Sequence, residues 1–286
     1  MTKFPFTNLR DEIETLTKTY RESSTLRPEV LFRDFLPTGY RFTTLTSVDG
    51  RFVDLVIFAK IHLGMIVTLY DDLADHPRYY NPELLKYLYK LNVGIDHVPA
   101  RSLALQDQKV FNLARYLFQR LALLLQHFPH YKELFPVLRF DLEQFYISNK
   151  YSELMTKLPA VRNLTESRLL GPYNMGMVAA GTIDLMASSG FDRRELGTCR
   201  EIFILGQRAG RISNLLFTLR REISEGDLTN EILMTSSENY QNPLHQEFAD
   251  ILTKLQNQGI QTFSTVQYAT GLQALNQLHQ NLEGQI

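Results

Sequence analysis

The segment LALQDQKVFNLARYLFQRLALLLQH, residues 103–127, decides the fold class of this chain. Its apolar side chains recur three or four positions apart, as at Val110, Leu113, Leu117 and Leu121. Residues at this spacing share one face of an α-helix, whereas a half-buried β-strand alternates apolar and polar residues. The segment therefore predicts a long helix with one face in a hydrophobic core.

Six further segments repeat this helical period. They are Phe52–Asp75, Tyr131–Lys157, Thr165–Ser188, Asp192–Glu225, Pro243–Gln258 and Gln261–Leu282. Alternating β-branched runs bounded by tight turns, which would indicate hairpins, are missing from the sequence. The pattern predicts an all-α protein.

Short proline and glycine punctuation separates these segments, at 36–39, 97–99 and 128–129. Within the segment Thr165–Ser188, Gly171-Pro172 predicts a broken helix, because proline lacks a backbone donor and clashes with the preceding turn. The chain contains no internal repeat, linker or low-complexity tract. We therefore expect a single domain over residues 1–286.

Composition narrows the range of functions. Lysine and arginine (30) nearly balance aspartate and glutamate (31), so the net charge of −1 gives no long-range attraction for nucleic acid or anionic lipid. Residues 1–10 contain no apolar signal-peptide core. A single cysteine, Cys199, excludes an internal disulfide and suits a reducing compartment. We expect a cytoplasmic protein that holds any anionic ligand in a local site.

The longest apolar stretch, 52–70, carries Asp54, Lys60 and His62. These polar residues favour a buried helix of a soluble protein over a membrane span. No stable membrane insertion is expected.

Three carboxylates, Asp71, Asp72 and Asp75, stand at the end of the helix predicted over Phe52–Asp75. On a helix they point toward one region, where they repel one another and oppose the helix dipole. A divalent cation would relieve both effects, and hard carboxylate oxygens suit Mg²⁺. A solvated acidic helix end is the alternative, and this short pattern alone does not decide between the two.

A second polar stripe comprises Asn214, Thr218, Arg221 and Glu222, which fall within about 100° of one helix face. Its oxygen donors are suited to one metal ion, and its arginine is suited to phosphate. An ordinary exposed polar face would be the preferred interpretation if the aspartates were absent.

Together these segments resemble the bacterial class I terpene synthases, from about residue 50 onward. The family's first metal-binding motif, D-D-x-x-D, is matched by Asp71, Asp72 and Asp75. Its second motif has asparagine, serine or threonine, and glutamate at successive four-residue intervals, and it is matched by Asn214, Thr218 and Glu222. Arg221 matches the basic residue that precedes the family's glutamate. Arg168, which lies 46 positions before Asn214 (214 − 168), matches its diphosphate-sensing arginine.

The resemblance implies a helical bundle of the class I terpenoid synthase type around a central apolar cavity. It implies three Mg²⁺ ions, with Mn²⁺ as a substitute, and ionisation and cyclisation of a linear C15 or C20 prenyl diphosphate with release of diphosphate. Asp71, Asp72 and Arg168 would be catalytic, and Arg168 and Arg221 would bind the diphosphate. The six residues of the two metal-binding motifs would be the ligands. A homodimer is left open.

The aromatic residues available to stabilise a carbocation are phenylalanines and tyrosines, since the chain has no tryptophan. The candidates are Phe52, Phe58, Tyr70, Phe145, Tyr146, Phe203 and Phe217. For each of them an ordinary core position is the favoured interpretation.

The sequence departs from the family at three places. Leu215 replaces an acidic residue, and Gly171-Pro172 occupies the family's linker and effector positions. The family's C-terminal Arg-Tyr pair, which clamps diphosphate and helps close the lid, has no counterpart, because no arginine follows Arg221.

Other classes of helical protein require sequence features that this chain lacks or leave some of its features unexplained. A trans-prenyltransferase on the same fold needs a second D-D-x-x-D, and none follows Asp75. A di-iron bundle needs Glu-x-x-His on two helices, and the chain contains no such pattern. A catalytically impaired helical binding protein would explain the missing Arg-Tyr pair, but not the presence of both ligand sets.

Overall fold

A computed structural model describes residues 8–24, 27–76, 79–91, 93, 103–227, 229–235, 240–283 and 285–286. Over these residues the regular structure is helical and contains no strand, which confirms the all-α prediction. The α-helices in chain order are α1 (Leu9–Ser23), α2 (Leu36–Thr43), α3 (Val53–Ala74), α4 (Pro82–Leu88), α5 (Leu105–Leu125), α6 (Tyr131–Lys157), α7 (Leu164–Leu170), α8 (Met177–Met186), α9 (Leu196–Phe217), α10 (Leu219–Glu225), α11 (Gln241–Gln256) and α12 (Thr265–Asn281).

Helix α3 is at the centre of the fold. It packs against α2, α5, α6 and α8, and most of its residues are buried. In the described part of the chain, one helical segment, Gly50–Ala74, is long enough and apolar enough to span a membrane, with a mean hydropathy of 2.0. However, 72% of its most apolar stretch is buried within the protein. Burial among neighbouring helices therefore accounts for its apolar sequence.

The predicted break at Gly171-Pro172 is confirmed. Helix α7 ends at Leu170, a 3-10 helix runs over Gly171–Met175, and α8 starts at Met177. Between them Gly176 has a φ of 64°, in the left-handed region that glycine adopts without steric cost. The break therefore brings the 3-10 turn against α6 and α9.

The expected punctuation at 36–39 is wrong. A π-helix over Leu31–Phe35 continues directly into α2, and Pro37 lies in the first turn of α2. Proline supplies no N–H to the preceding turn, and that turn is where the helix departs from α geometry into the π-helix. Residues 97–99 lie outside the described residues, whereas Phe128-Pro129 does separate α5 from α6.

The helix predicted over Asp192–Glu225 bends at Thr218, where α9 passes into α10. The Thr218 N–H donates to the Asn214 carbonyl (2.9 Å) and the Glu222 N–H to the Thr218 carbonyl (2.9 Å), so helical bonding continues through the bend. The Thr218 hydroxyl also lies 2.7 Å from the Asn214 carbonyl oxygen. A threonine bonded to the preceding turn is a common cause of helix bending.

Candidate functional site

A cavity of about 190 Å³ lies between α3 and the helices that face it, α2, α9, α10 and α12. On α3 its lining residues recur at helical spacing, from Lys60 through Gly64 and Thr68 to Asp71 and Asp75. Eleven residues of helix separate Lys60 from Asp71, which sets these ends of the cavity about 16 Å apart. The carboxylates thus mark one end and a lysine the other.

Residues of both predicted motifs line this cavity. The predicted site residues found in its wall are Asp71, Asp75, Asn214, Thr218, Arg221 and Glu222. Two further acidic residues beyond the two motifs, Glu225 and Asp227, join them. The two oxygen-rich helix faces, far apart in the chain, therefore converge on one hollow.

The carboxylates are close enough to perturb one another. The pKa of Asp75 is raised well above its usual value, first by burial and then by the charges of Asp71, Asp227, Asp72 and Glu222. Burial and the Glu222 charge raise the pKa of Asp227 to about 6. Burial first, and repulsion among the carboxylates second, thus favour the protonated forms of Asp75 and Asp227, and a bound cation would oppose both effects.

Glu222 is held in place through both of its carboxylate oxygens. Its Oε1 lies 2.6 Å from the Thr218 hydroxyl, and its Oε2 accepts from the Asn230 amide at 2.6 Å. Asn230 is itself buried and donates to the Leu215 carbonyl at 3.1 Å. The glutamate is thus fixed at the cavity wall before any ligand binds.

Asp71 and Asp72 have different surroundings. Asp71 accepts from the Asn174 amide of the 3-10 turn, and Asn174 in turn accepts from Asn149 of α6 at 2.8 Å. The Asp72 side chain is fully buried, is not among the cavity-lining residues, and accepts from Nε (2.7 Å) and Nη2 (2.6 Å) of Arg27. Asp72 thus anchors Arg27, which does line the cavity.

Three arginines line the acidic end of the cavity: Arg27, Arg211 and Arg221. Arg211 Nη1 donates to the Asn214 side-chain oxygen at 3.1 Å, and Arg221 Nη1 donates to Glu225 at 2.6 Å. The Nε atoms of Arg211 and Arg221 are buried and find no hydrogen-bond partner in the described structure. Two buried cationic donors without acceptors are suited to an anionic ligand.

Arg168 lies elsewhere. Its side chain is 48% exposed and donates to Glu247 of α11 at 2.8 Å, outside the cavity lining.

Sequence reasoning missed Arg211, although this residue lies three positions before Asn214 on the same helix face. Arg27 carried no sequence signal, because its partner Asp72 lies 45 positions away.

The donor set fits a hard divalent cation in type, since carboxylate, amide and hydroxyl oxygens are the ligands that Mg²⁺ takes. Within the described ranges, however, no three His, Cys, Asp or Glu side chains are grouped so that they could hold a metal ion by themselves. Asp71 and Asp75 come from the end of α3 and Glu222 from α10, and all three line the cavity. Any metal would therefore depend on donors from both walls and from a ligand.

The rest of the cavity wall is largely apolar. Its aromatic residues are Phe35, Tyr40 and Tyr268. None of the seven aromatic candidates named from the sequence is in the described lining. Phe217 packs against the core, and five others belong to it: Phe58, Tyr70, Phe145, Tyr146 and Phe203. Phe52 also packs against the core, with its ring 5.7 Å from that of Phe128.

At the far end of the cavity, Lys60 is buried and paired with Asp184 of α8. Its Nζ lies 2.7 and 2.9 Å from the two carboxylate oxygens and 3.2 Å from the Thr44 hydroxyl. Asp184 also accepts from the Leu45 N–H at 3.1 Å. All three ammonium protons thus have acceptors, so the pair acts as a structural link among three segments.

Comparisons of the chain with protein-family models and with curated proteins give no match.

Proposed function

We propose that the protein is a class I terpene synthase that ionises a linear prenyl diphosphate in the presence of Mg²⁺ and cyclises the resulting carbocation. The observation that supports the proposal most is the convergence of Asp71 and Asp75 with Asn214, Thr218 and Glu222 on one cavity. Apolar walls continue from this polar end toward Lys60. A diphosphate and its hydrocarbon tail need this division of polar and apolar surface.

In this proposal, Asp71 and Asp75 hold Mg²⁺ from one wall, and Asn214, Thr218 and Glu222 hold it from the other. When bound, Mg²⁺ neutralises the leaving diphosphate and lowers the barrier to breaking the C–O bond. Glu222 and Thr218 bond to each other in the structure described here. The Thr218 hydroxyl also lies 2.7 Å from the Asn214 carbonyl, so it can donate its proton there and leave the Thr218 and Glu222 oxygens free to accept a cation.

Arg211 and Arg221 take the role of diphosphate donors, because both residues line the acidic end of the cavity and each has an Nε without an acceptor. A guanidinium binds phosphate oxygens through two parallel N–H groups. The apolar walls exclude water from the reacting hydrocarbon chain. Phe35, Tyr40 and Tyr268 line the cavity, and their rings would stabilise the positive charge of the carbocation.

The test is turnover of C10, C15, C20 and C25 prenyl diphosphates with Mg²⁺, with diphosphate release and hydrocarbon products both measured. Asp71→Ala and Glu222→Ala should each lower turnover by about a hundredfold or more. Asp54→Ala is the matched control, because Asp54 lies on the same helix α3 with a side chain 59% exposed and paired to Arg41. It should retain full turnover.

Undiminished turnover in Asp71→Ala or Glu222→Ala would refute the assignment of these ligands. If no substrate releases diphosphate, a thermal shift with Mg²⁺ and inorganic diphosphate decides between the remaining cases. A shift lost in both variants indicates a binding protein on the same cavity, and no shift at all contradicts a metal–diphosphate site.

A further inference from the structure

A buried histidine, His279 of α12, belongs to the cavity wall and lies between two aromatic rings. Its side chain is 6% exposed. Its ring centre is 5.1 Å from that of Phe35 and 5.9 Å from that of Phe217. Close packing on both sides restricts rotation of the imidazole, so its two nitrogens keep fixed directions. The partner of each nitrogen therefore decides what His279 can bind.

The first nitrogen, Nδ1, is paired with Ser213 of α9, whose hydroxyl oxygen lies 3.2 Å away. In the described part of the chain this is the only hydrogen-bond contact of the Ser213 hydroxyl. A hydroxyl has one proton to donate, and a neutral imidazole accepts through one nitrogen and donates through the other. The Ser213 hydroxyl therefore donates to Nδ1, and the imidazole proton is on Nε2.

The second nitrogen, Nε2, is a donor without an acceptor. Burial first, and the charge of Arg221 second, lower the pKa of His279 to about 4, so the imidazole is neutral near pH 7. Among the described residues Nε2 has no hydrogen-bond partner, and unlike the Nε2 of the buried His62 it is not sealed from open space. An unpaired donor in a cavity wall is suited to an oxygen atom of a ligand.

The neighbours of His279 place it at the acidic end of the cavity. Ser213 directly precedes Asn214, and both residues line the cavity. Arg221, which also lines it, is close enough for its charge to act on the imidazole. A neutral N–H group can bind an anionic oxygen without adding positive charge to a site that already contains arginines.

We propose that the Nε2–H group of His279 donates a hydrogen bond to an anionic oxygen of the ligand that Arg211 and Arg221 bind. In the proposed function, on which this assignment rests, that oxygen belongs to the substrate diphosphate. Ser213 is then a positioning residue, because its hydroxyl keeps the imidazole proton on Nε2. The ligand would thus connect α12, which carries His279, to α9, which carries Ser213 and Arg211.

Isothermal titration calorimetry with inorganic diphosphate and Mg²⁺ tests the donor. His279→Leu removes both nitrogens and should raise the Kd about tenfold or more, as expected for the loss of one hydrogen bond to a charged oxygen. His279→Gln retains an N–H donor near the position of Nε2, so its Kd should stay within about threefold of the parent value. His245→Leu, an exposed position on α11, is the matched control and should bind as the parent does.

Nitrogen-15 NMR of the parent chain provides a measurement that does not depend on any variant. Nε2 of His279 should carry the proton, with Nδ1 bare, and the Nε2 resonance should shift when diphosphate and Mg²⁺ are added. Circular dichroism checks that His279→Leu is folded, and the NMR measurement decides if it is not.

The outcomes separate this assignment from the proposed function. If the parent chain binds diphosphate but the Nε2 resonance stays unchanged, or a folded His279→Leu binds equally tightly, the role of His279 is overturned and the diphosphate site remains. If the parent chain binds no diphosphate with Mg²⁺, the site itself is contradicted, and the role of His279 fails with it.

Discussion

Arg211 lines the acidic end of the cavity, with Nη1 bonded to Asn214 and Nε unpaired. We predict that Arg211→Gln lowers diphosphate release by about a hundredfold, because a donor to the leaving group is lost. Arg168→Gln is the matched control variant. It should lower diphosphate release by less than about tenfold, because the Arg168 side chain pairs with Glu247 outside the cavity. Initial rates at saturating and limiting substrate provide the comparison, and a larger loss in Arg168→Gln would contradict the placement.

His62 provides a residue-scale prediction about pH. Burial, which outweighs a hydrogen bond to the Phe58 carbonyl, lowers its pKa to about 4, with the nearby Arg120 charge adding to the effect. Because the folded-state pKa is below the unfolded value near 6.5, the unfolded chain takes up the proton first. The contribution of a neutral His62 is therefore complete above about pH 6.5 and is lost as the pH falls toward 4.

The measurement is the free energy of unfolding of the parent chain relative to His62→Leu. This difference should shift against the parent by roughly 3 kcal/mol between pH 6.5 and pH 4. A pH-independent difference would mean that His62 titrates normally in the folded chain. The comparison is needed because Asp75 and Asp227, with raised pKa values, act in the opposite direction over the same range.

At the scale of helices, the sequence predicted regular segments well and irregular ones poorly. The bounds of α6 agree with the prediction at both ends, since its apolar period starts and stops with the helix. The π-helix over Leu31–Phe35 and its continuation into α2 were missed, because Pro37 and Gly39 look like turn residues. Their helical conformation depends on packing against α3 and α12, which no local pattern encodes.

The contact between α12 and α2 depends on Gly271. A Cβ at this position would overlap the carbonyl oxygen of Phe42 and lie 2.9 Å from its carbonyl carbon. A backbone carbonyl cannot rotate away, so Gly271→Ala should force the helices apart and cost about 2 to 3 kcal/mol of stability. Gly197→Ala in α9 meets no atom within 4 Å and should instead stabilise the protein by up to about 1 kcal/mol.

Urea unfolding of both glycine variants measures this difference. Equal effects of the two substitutions would show that α12 can move away from α2 at little cost. In that case the cavity wall formed by Tyr268 would be less rigid than the structure indicates.

For the whole molecule, the near-zero net charge conceals strong local charge. Five carboxylates and three arginines meet at one end of the cavity, although the chain total is −1. Spacing within a helix predicted which oxygens would share a face, as at Asn214 and Glu222. It could not predict that Arg27 would reach Asp72, or that Arg168 would lie outside the cavity, because those positions depend on how helices pack.

The buried pair Lys60–Asp184 joins α3, α8 and the segment after α2, and it supplies the last prediction. Asp184→Asn leaves the Lys60 charge buried without its counter-ion, so it should cost about 3 to 5 kcal/mol. Adding Lys60→Met should recover part of that loss, because the double variant buries no charge. The exposed pair Arg41–Asp54, with side chains 57% and 59% exposed, should give a coupling energy under about 1 kcal/mol in the same double-mutant cycle. If the Lys60 and Asp184 effects add instead, the two groups do not act as a pair, and the inner end of the cavity gains no rigidity from them.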